Sequence, residues 1–350
     1  MADHVLHEKR GRAGIITLNR PKAINALTLE MFEEITRILR SWEDDSDVSL
    51  VILRGAGERG LCAGGDIASL YQDAKDGGTM GQTFWKVEYE LDYYIHTYPK
   101  PYVAIMNGIV LGGGVGLSAL SAHRIVTDDS RVGMPETGIG YSPDAGGTYL
   151  LSRSPDRLGR HLAYTGLHVG AAETIDVGLA DHYVPQDQLE TLVSELATTG
   201  DVGVINGFAQ PLGPGFGDDR EEMAEIYAAA TPEATLEQLS ELAERNDDDH
   251  WSHKAAKAMR RNSPLGIKVA ETTLNRGANM TLAEALTQEY WFSLNMQRHP
   301  EFVEGIRAQI VEKDRNPSWT YATLADVPAN VVSDLTAFDT VPGATPPEFN

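Results

Sequence analysis

Four short apolar runs rich in β-branched residues, at positions 14–18, 49–53, 102–106 and 124–127, alternate with amphipathic stretches in the first half of the chain. Such runs read as strands and the stretches between them as helices, a rhythm that calls for a layered α/β core. Helical spacing is clearest over 28–42 and 84–96, with Thr28 placed to cap the first. From about residue 189 the β-branched runs stop and helical patterns take over, at 219–230, 235–245, 264–276 and 281–298. The break at 201–218 is crowded with Gly203, Gly207, Pro211, Gly213, Pro214, Gly215 and Gly217 and reads as a linker. The expected organisation is a core over 1–200, a linker over 201–218, a helical region over 219–327, and a poorly ordered tail over 328–350. A length of 350 residues fits one large domain with an appendage, or two domains.

Charge narrows the function. With 29 Lys+Arg against 51 Asp+Glu the chain carries a formal net charge of -22. That field speaks against nucleic acid and anionic membranes as partners, and any anionic ligand has to be held by local groups. One cysteine, Cys62, leaves no disulfide framework and no Cys-cluster metal site. The start of the chain, Met1, Ala2, Asp3 and His4, lacks the basic-then-apolar layout of a secretory signal, and no stretch approaches the ~20 apolar residues of a membrane span. The cytoplasm is the expected location.

Three glycine-bearing loops follow strand candidates, where α/β folds place binding sites. One runs from Cys62 through Gly64 and Gly65 to Asp66 and Ile67. The second spans 107–116 and includes Gly112, Gly113, Gly114 and Gly116. Paired N–H groups at such loops can cradle charge developing on a substrate oxygen, although glycines also serve tight turns. Gly114, Gly116 and Asp128 partly match a dinucleotide fingerprint, but the 14-residue spacing from Gly114 to Asp128 falls short of the usual ~20. The third loop, 134–147, sets Glu136 and Asp144 eight residues apart across a Gly- and Pro-bent turn. Two such carboxyls can share acid/base work, or one can attack while the other steers water; equally, Asp144 could cap the next helix. No G-x-S-x-G elbow and no H-E-x-x-H occurs. Cys62 is either a nucleophile or a small buried residue.

The segment from Asn19 to Leu27, the 62–67 and 112–116 loops, and Pro135-Glu136 resemble the crotonase (enoyl-CoA hydratase/isomerase) superfamily. The run from Met134 to Gly147, with Glu289-Tyr290 and 313–319, is similar to its 3-hydroxyisobutyryl-CoA hydrolases of valine catabolism. The resemblance implies a crotonase-like α/β core of repeated ββα units and a C-terminal helical region. It also implies acyl-CoA thioester hydrolysis without a cofactor, and self-association into a homo-oligomer. By the same resemblance Gly65 and Gly113 supply an oxyanion hole, Glu136 and Asp144 are catalytic, and Glu88 binds substrate. Lys22, Ala23, Ile24, Ala63, Gly64, Asp66 and Ile67 line the coenzyme A channel. Hydratases of the family use two glutamates, and Gly116 stands where the first is expected. Hydration of an enoyl thioester and non-catalytic acyl-CoA binding are the alternatives.

Overall fold

The computed structural model describes residues 4–349; Met1, Ala2 and Asp3, on which the reading of the N-terminus partly rests, and Asn350 lie outside them. Among the described residues nine strands form two sheets: β1 (Val5–Arg10), β2 (Ala13–Leu18), β3 (Leu50–Gly55), β4 (Tyr102–Met106), β5 (Ile109–Leu111), β6 (His123–Val126), β7 (Arg131–Gly133), β8 (His168–Val169) and β9 (His182–Tyr183). The larger sheet has the order β1-β2-β3-β4-β6-β9 and the smaller β5-β7-β8. β1 and β2 pair antiparallel through a tight hairpin, and β2, β3, β4, β6 and β9 run parallel. Parallel neighbours need crossovers, and helices supply them: Leu29–Glu43 between β2 and β3, then Ile67–Asp76 and Met80–His96 between β3 and β4.

Helices cover both faces of the larger sheet, so its central strands are apolar without interruption. Alternate residues serve different cores. Ile15, Leu50, Ile52, Val103 and Ile105 pack under the Leu189–Thr199 helix, whereas Ile16, Val51, Leu53, Ala104 and Met106 join the larger cluster. The Leu29–Glu43 helix turns Phe32, Ile35, Ile38, Leu39 and Trp42 into that cluster, and Thr28 caps it as expected by accepting from the Met31 N–H.

The helical region follows as anticipated, with Pro232–Arg245, Pro264–Gly277 and Leu282–Gln297 close to their expected bounds and an additional helix over Trp251–Arg261. Leu282–Gln297 is buried along nearly its whole length and packs beside Met80–His96. Two expectations are corrected. The 201–218 segment is fastened to the core: Ile205 is buried, the Gln210 N–H donates to the Tyr183 carbonyl, and the Gly215 N–H donates to Asp176. The tail also docks instead of running loose. It forms a helix over Ala329–Leu335, buries Val332, Leu335 and Val341, and sets Phe349 4.8 Å from the Tyr93 ring. Apolar residues spaced among the tail's Pro and Thr give it a face to bury, which composition alone hides. No helix among the described residues is long and apolar enough to cross a membrane.

Candidate active site

Both glycine loops converge because β5 runs beside the first of them. Cys62 N–H donates to the Ile109 carbonyl and Leu111 N–H to the Cys62 carbonyl. A Cβ on Gly64 would lie 3.1 Å from the Leu111 oxygen, and Gly64 has φ of +100°. Gly112, with φ 52° and ψ -123°, occupies a region that only glycine visits freely. The loops thus bring Gly65 and Gly113 to one cavity of about 670 Å³. Neither of their N–H groups donates to a backbone carbonyl, and Gly113 opens the 113–119 helix. They suit an oxyanion in position and in unspent donors.

Glu88, Glu136 and Asp144 line the same cavity, which is therefore shared by every residue expected in the oxyanion hole, the catalytic pair and the substrate contact. Carboxyl groups crowd the glycine loop: a Cβ on Gly112 would lie 2.8 Å from Glu136 Oε1, and one on Gly113 would overlap Glu88 Oε1. Of the Glu136 oxygens, Oε2 has no hydrogen-bond partner. Asp144 does not cap the following helix; its Oδ2 accepts from the Tyr89 hydroxyl at 2.7 Å and the Tyr141 hydroxyl at 3.2 Å. Burial lifts the Asp144 carboxyl to about 6, with the two tyrosine bonds holding it down from higher values. Burial, and next the nearby Asp144 charge, push Glu136 and Glu88 well above the usual carboxylate range.

Of the channel residues, Ala63, Gly64 and Ile67 line the cavity, and Lys22, Ala23, Ile24 and Asp66 do not. The 22–24 segment instead flanks the 63–66 loop, with Ala63 N–H donating to the Ile24 carbonyl. The Asp66 carboxylate is engaged by Arg20 at 2.9 Å, so neither side chain is free for a ligand. Asn25, fully buried, ties this segment to the carbonyls of Ala56, Gly60 and Leu61.

Other early alternatives fall away. Burial pushes the Cys62 thiol up to about 12, which leaves no thiolate for attack. Asp128 is spent on the Tyr183 hydroxyl and the Gln186 N–H. Sequence patterns missed Tyr89 and Tyr141, whose hydroxyls reach Asp144, Ser293, which bonds both of those hydroxyls, and also Arg261 and Arg315, which bring positive charge to the cavity. They missed Asp92 too. This carboxyl is fully buried, has no partner on either oxygen, and lies where a Cβ on Gly116 would come within 2.8 Å of its Oδ2. Gly116 is itself buried and outside the cavity lining, so a glutamate at that position has no room.

The sequence profile of the enoyl-CoA hydratase/isomerase family matches residues 13–336. The chain belongs to this family. Among enoyl-CoA hydratase/isomerase relatives, a protein named 3-hydroxyisobutyryl-CoA hydrolase, mitochondrial, from Danio rerio is 38% identical over 336 residues, covering 92% of this chain and 86% of the relative. The protein of the same name from Rattus norvegicus is 39% identical over 335 residues, with the same coverage of both chains. A crystal structure titled carnitinyl-CoA dehydratase, from Mycobacterium thermoresistibile, superposes with a TM-score of 0.92 at 41% identity, covering 98% of each chain. The crotonase-type ββα core expected from the motifs is the fold observed.

Proposed function

We propose that the protein hydrolyses 3-hydroxyisobutyryl-CoA, or a close 3-hydroxyacyl-CoA, to the free acid and coenzyme A, as a step of valine catabolism. The observation that carries this reading is the pairing of Glu136 with Asp144 in one cavity with the Gly65 and Gly113 N–H donors, while Asp92 fills the space beside Gly116. Relatives at 38% and 39% identity named 3-hydroxyisobutyryl-CoA hydrolase support it.

In this mechanism the thioester carbonyl oxygen lies between the two glycine N–H groups, which bind it more tightly as it gains charge. Glu136, with Oε2 unpartnered, acts in its ionised form, either attacking the carbonyl carbon or taking the proton of the attacking water. Asp144, oriented by Tyr89 and Tyr141, holds that water or the substrate hydroxyl. Glu88 faces the same space and accepts from, or donates to, the hydroxyl of the acyl group. The thioester C–S bond breaks as a C–O bond forms, either directly from water or through a Glu136 anhydride that water then cleaves. The water oxygen becomes one carboxylate oxygen, one of its protons goes to the departing thiolate and the other is released, so the reaction balances without a metal or redox group. Arg261 and Arg315 offset the phosphates of a polyanionic substrate that the overall charge of -22 would otherwise repel.

Hydration of an enoyl thioester is the second reading, favoured by the dehydratase title of the superposed structure and by Glu136. It lacks the second glutamate. A thiol-reagent assay with a panel of acyl-CoA thioesters separates the two: free thiol from the 3-hydroxyacyl members supports hydrolysis, and loss of enoyl absorbance from crotonyl-CoA without thiol release refutes it. Cys62, free and buried, suits a reducing compartment. The cytoplasm is retained as the proposed location, and fractionation of the native host tests it against the mitochondrial location in the relatives' names.

A further inference from the structure

The turn that carries Asp144 contains two successive residues of positive φ, Ala145 at 50° and Gly146 at 80°, and closes with a 2.7 Å bond from the Gly147 N–H to the Asp144 carbonyl. Alanine in the left-handed region is disfavoured by its Cβ, so contacts outside the turn have to hold it there. The Glu289 side chain, fully buried and absent from the cavity lining, makes those contacts. Its Oε2 accepts the Gly146 N–H at 2.7 Å; its Oε1 accepts the Thr148 N–H at 2.8 Å and bonds the Thr148 hydroxyl. One helical turn later Ser293 sets its Oγ 3.0 Å from the Tyr89 hydroxyl and against that of Tyr141. Residues four apart share a helix face, so the Leu282–Gln297 helix holds the Asp144 turn twice, through the Gly146 and Thr148 N–H groups and through the two tyrosine donors of Asp144.

We infer that Glu289 is a positioning residue whose carboxyl fixes the 144–148 turn and thereby aims Asp144 at Tyr89, Tyr141 and the reacting carbonyl. The catalytic consequence rests on the hydrolase reading; the geometric one does not. A merely structural acid would affect stability alone.

The test is Glu289→Gln. Glutamine has one acceptor oxygen, so whichever way the amide turns, its NH2 faces the N–H of Gly146 or of Thr148 and one backbone bond is lost at nearly constant volume. On a 3-hydroxyacyl-CoA substrate kcat falls by about 100-fold with KM and melting temperature near wild type, the size of effect that a small misplacement of a reacting group produces. A second readout needs no turnover: isotope-edited infrared spectroscopy of the Asp144 carboxyl, with Asp144→Asn assigning the band. The groups facing Asp144 are Glu88, Tyr89 and Asp92 from the Met80–His96 helix, Glu136 and Tyr141 from its own loop, and Glu289 itself. Loss of the neighbouring acid alone would lower the Asp144 pKa, whereas a loosened turn weakens the tyrosine bonds that favour the carboxylate and raises it, so with Glu289 as a positioning residue Asp144 ionises at higher pH in E289Q. Wild-type kcat with an unshifted Asp144 overturns the inference; so does a joint fall in kcat, KM and melting temperature with Asp144 unshifted. If wild type releases no thiol from any thioester, the hydrolase reading fails by itself, and the Asp144 titration still decides the role of Glu289. Should E289Q not fold, Glu289→Asp retracts both acceptor oxygens by one methylene and is read the same way, an unshifted Asp144 again overturning the inference.

Discussion

The Tyr89 hydroxyl donates a 2.7 Å hydrogen bond to Oδ2 of Asp144, which lines one cavity with Glu88 and Glu136. That bond separates two carboxyls that burial would otherwise treat alike. Asp144 titrates at about 6, whereas Glu136, without a partner on Oε2, is pushed well above the usual range. Removing the donor with Y89F therefore raises the Asp144 pKa, because only the ionised form gains from the bond. The expected outcome is an acid limb of kcat/KM displaced to higher pH. Asp144→Asn acts in the opposite sense on Glu136: it deletes the like charge holding that proton, so the limb of the residual activity moves to lower pH. Rate measurements from pH 5 to 9, taken as a rough range around these groups, check both signs.

Glu136→Gln and Asp144→Asn keep side-chain volume and remove acid/base function. Each lowers kcat for thiol release by about 10³-fold, the usual contribution of a positioned acid or base, with KM little changed. Turnover left intact in both variants contradicts the roles assigned to them.

The local part of this site was legible in the sequence, and the non-local part was not. Glycine loops after strands, and a bent segment carrying Glu136 and Asp144, are spelled out by neighbours in the chain. Ser293 and Glu289 lie more than 140 positions from the turn they support, and no periodicity links them to it. Asp92 did leave a signal: it follows Glu88 by four residues on the buried face of one helix, which marks it as a buried acid. In the fold, β2, β3, β4 and β6 were visible because their apolar runs are continuous. β1 was not, since His7, Glu8 and Lys9 face solvent, and β5, β7, β8 and β9 are three residues or fewer. The tail was misjudged because its docking partners, among them Asn295 and Tyr93, are remote in sequence.

Gly116 explains why the chain lacks the glutamate pair of a hydratase. Its Cβ would lie 2.8 Å from Asp92 Oδ2 and 2.9 Å from the Ala145 carbonyl oxygen, and the residue is buried. G116E is expected to lower the melting temperature sharply, by overpacking and burying a further acid, and to gain no hydration of crotonyl-CoA. A folded G116E protein that hydrates crotonyl-CoA contradicts this account of the site.

Asp92 makes a separate prediction about stability. Burial, and next the nearby Glu289, hold its folded-state pKa well above the ordinary value. Below the pKa of the unfolded chain both states carry the proton; as pH rises the unfolded state releases it first, so folding loses stability until the folded pKa is passed. The loss is about 1.4 kcal/mol per pH unit for such a group. Asn titrates in neither state, so the stability of D92N relative to wild type climbs by that slope as pH rises above the unfolded-state Asp pKa of about 4, until the folded pKa is passed. Urea unfolding of both proteins across this range measures it. A difference independent of pH contradicts a protonated Asp92.

The central claim is that the Glu136–Asp144 pair cleaves a thioester and does not add or remove water across a carbon–carbon bond. Mass spectrometry of the products from 3-hydroxyisobutyryl-CoA tests it in one experiment, since the same substrate is open to both reactions. The account predicts free 3-hydroxyisobutyrate and coenzyme A in equal amounts, formed about 10³-fold more slowly by E136Q. Formation of the corresponding enoyl thioester with its CoA still attached would contradict it.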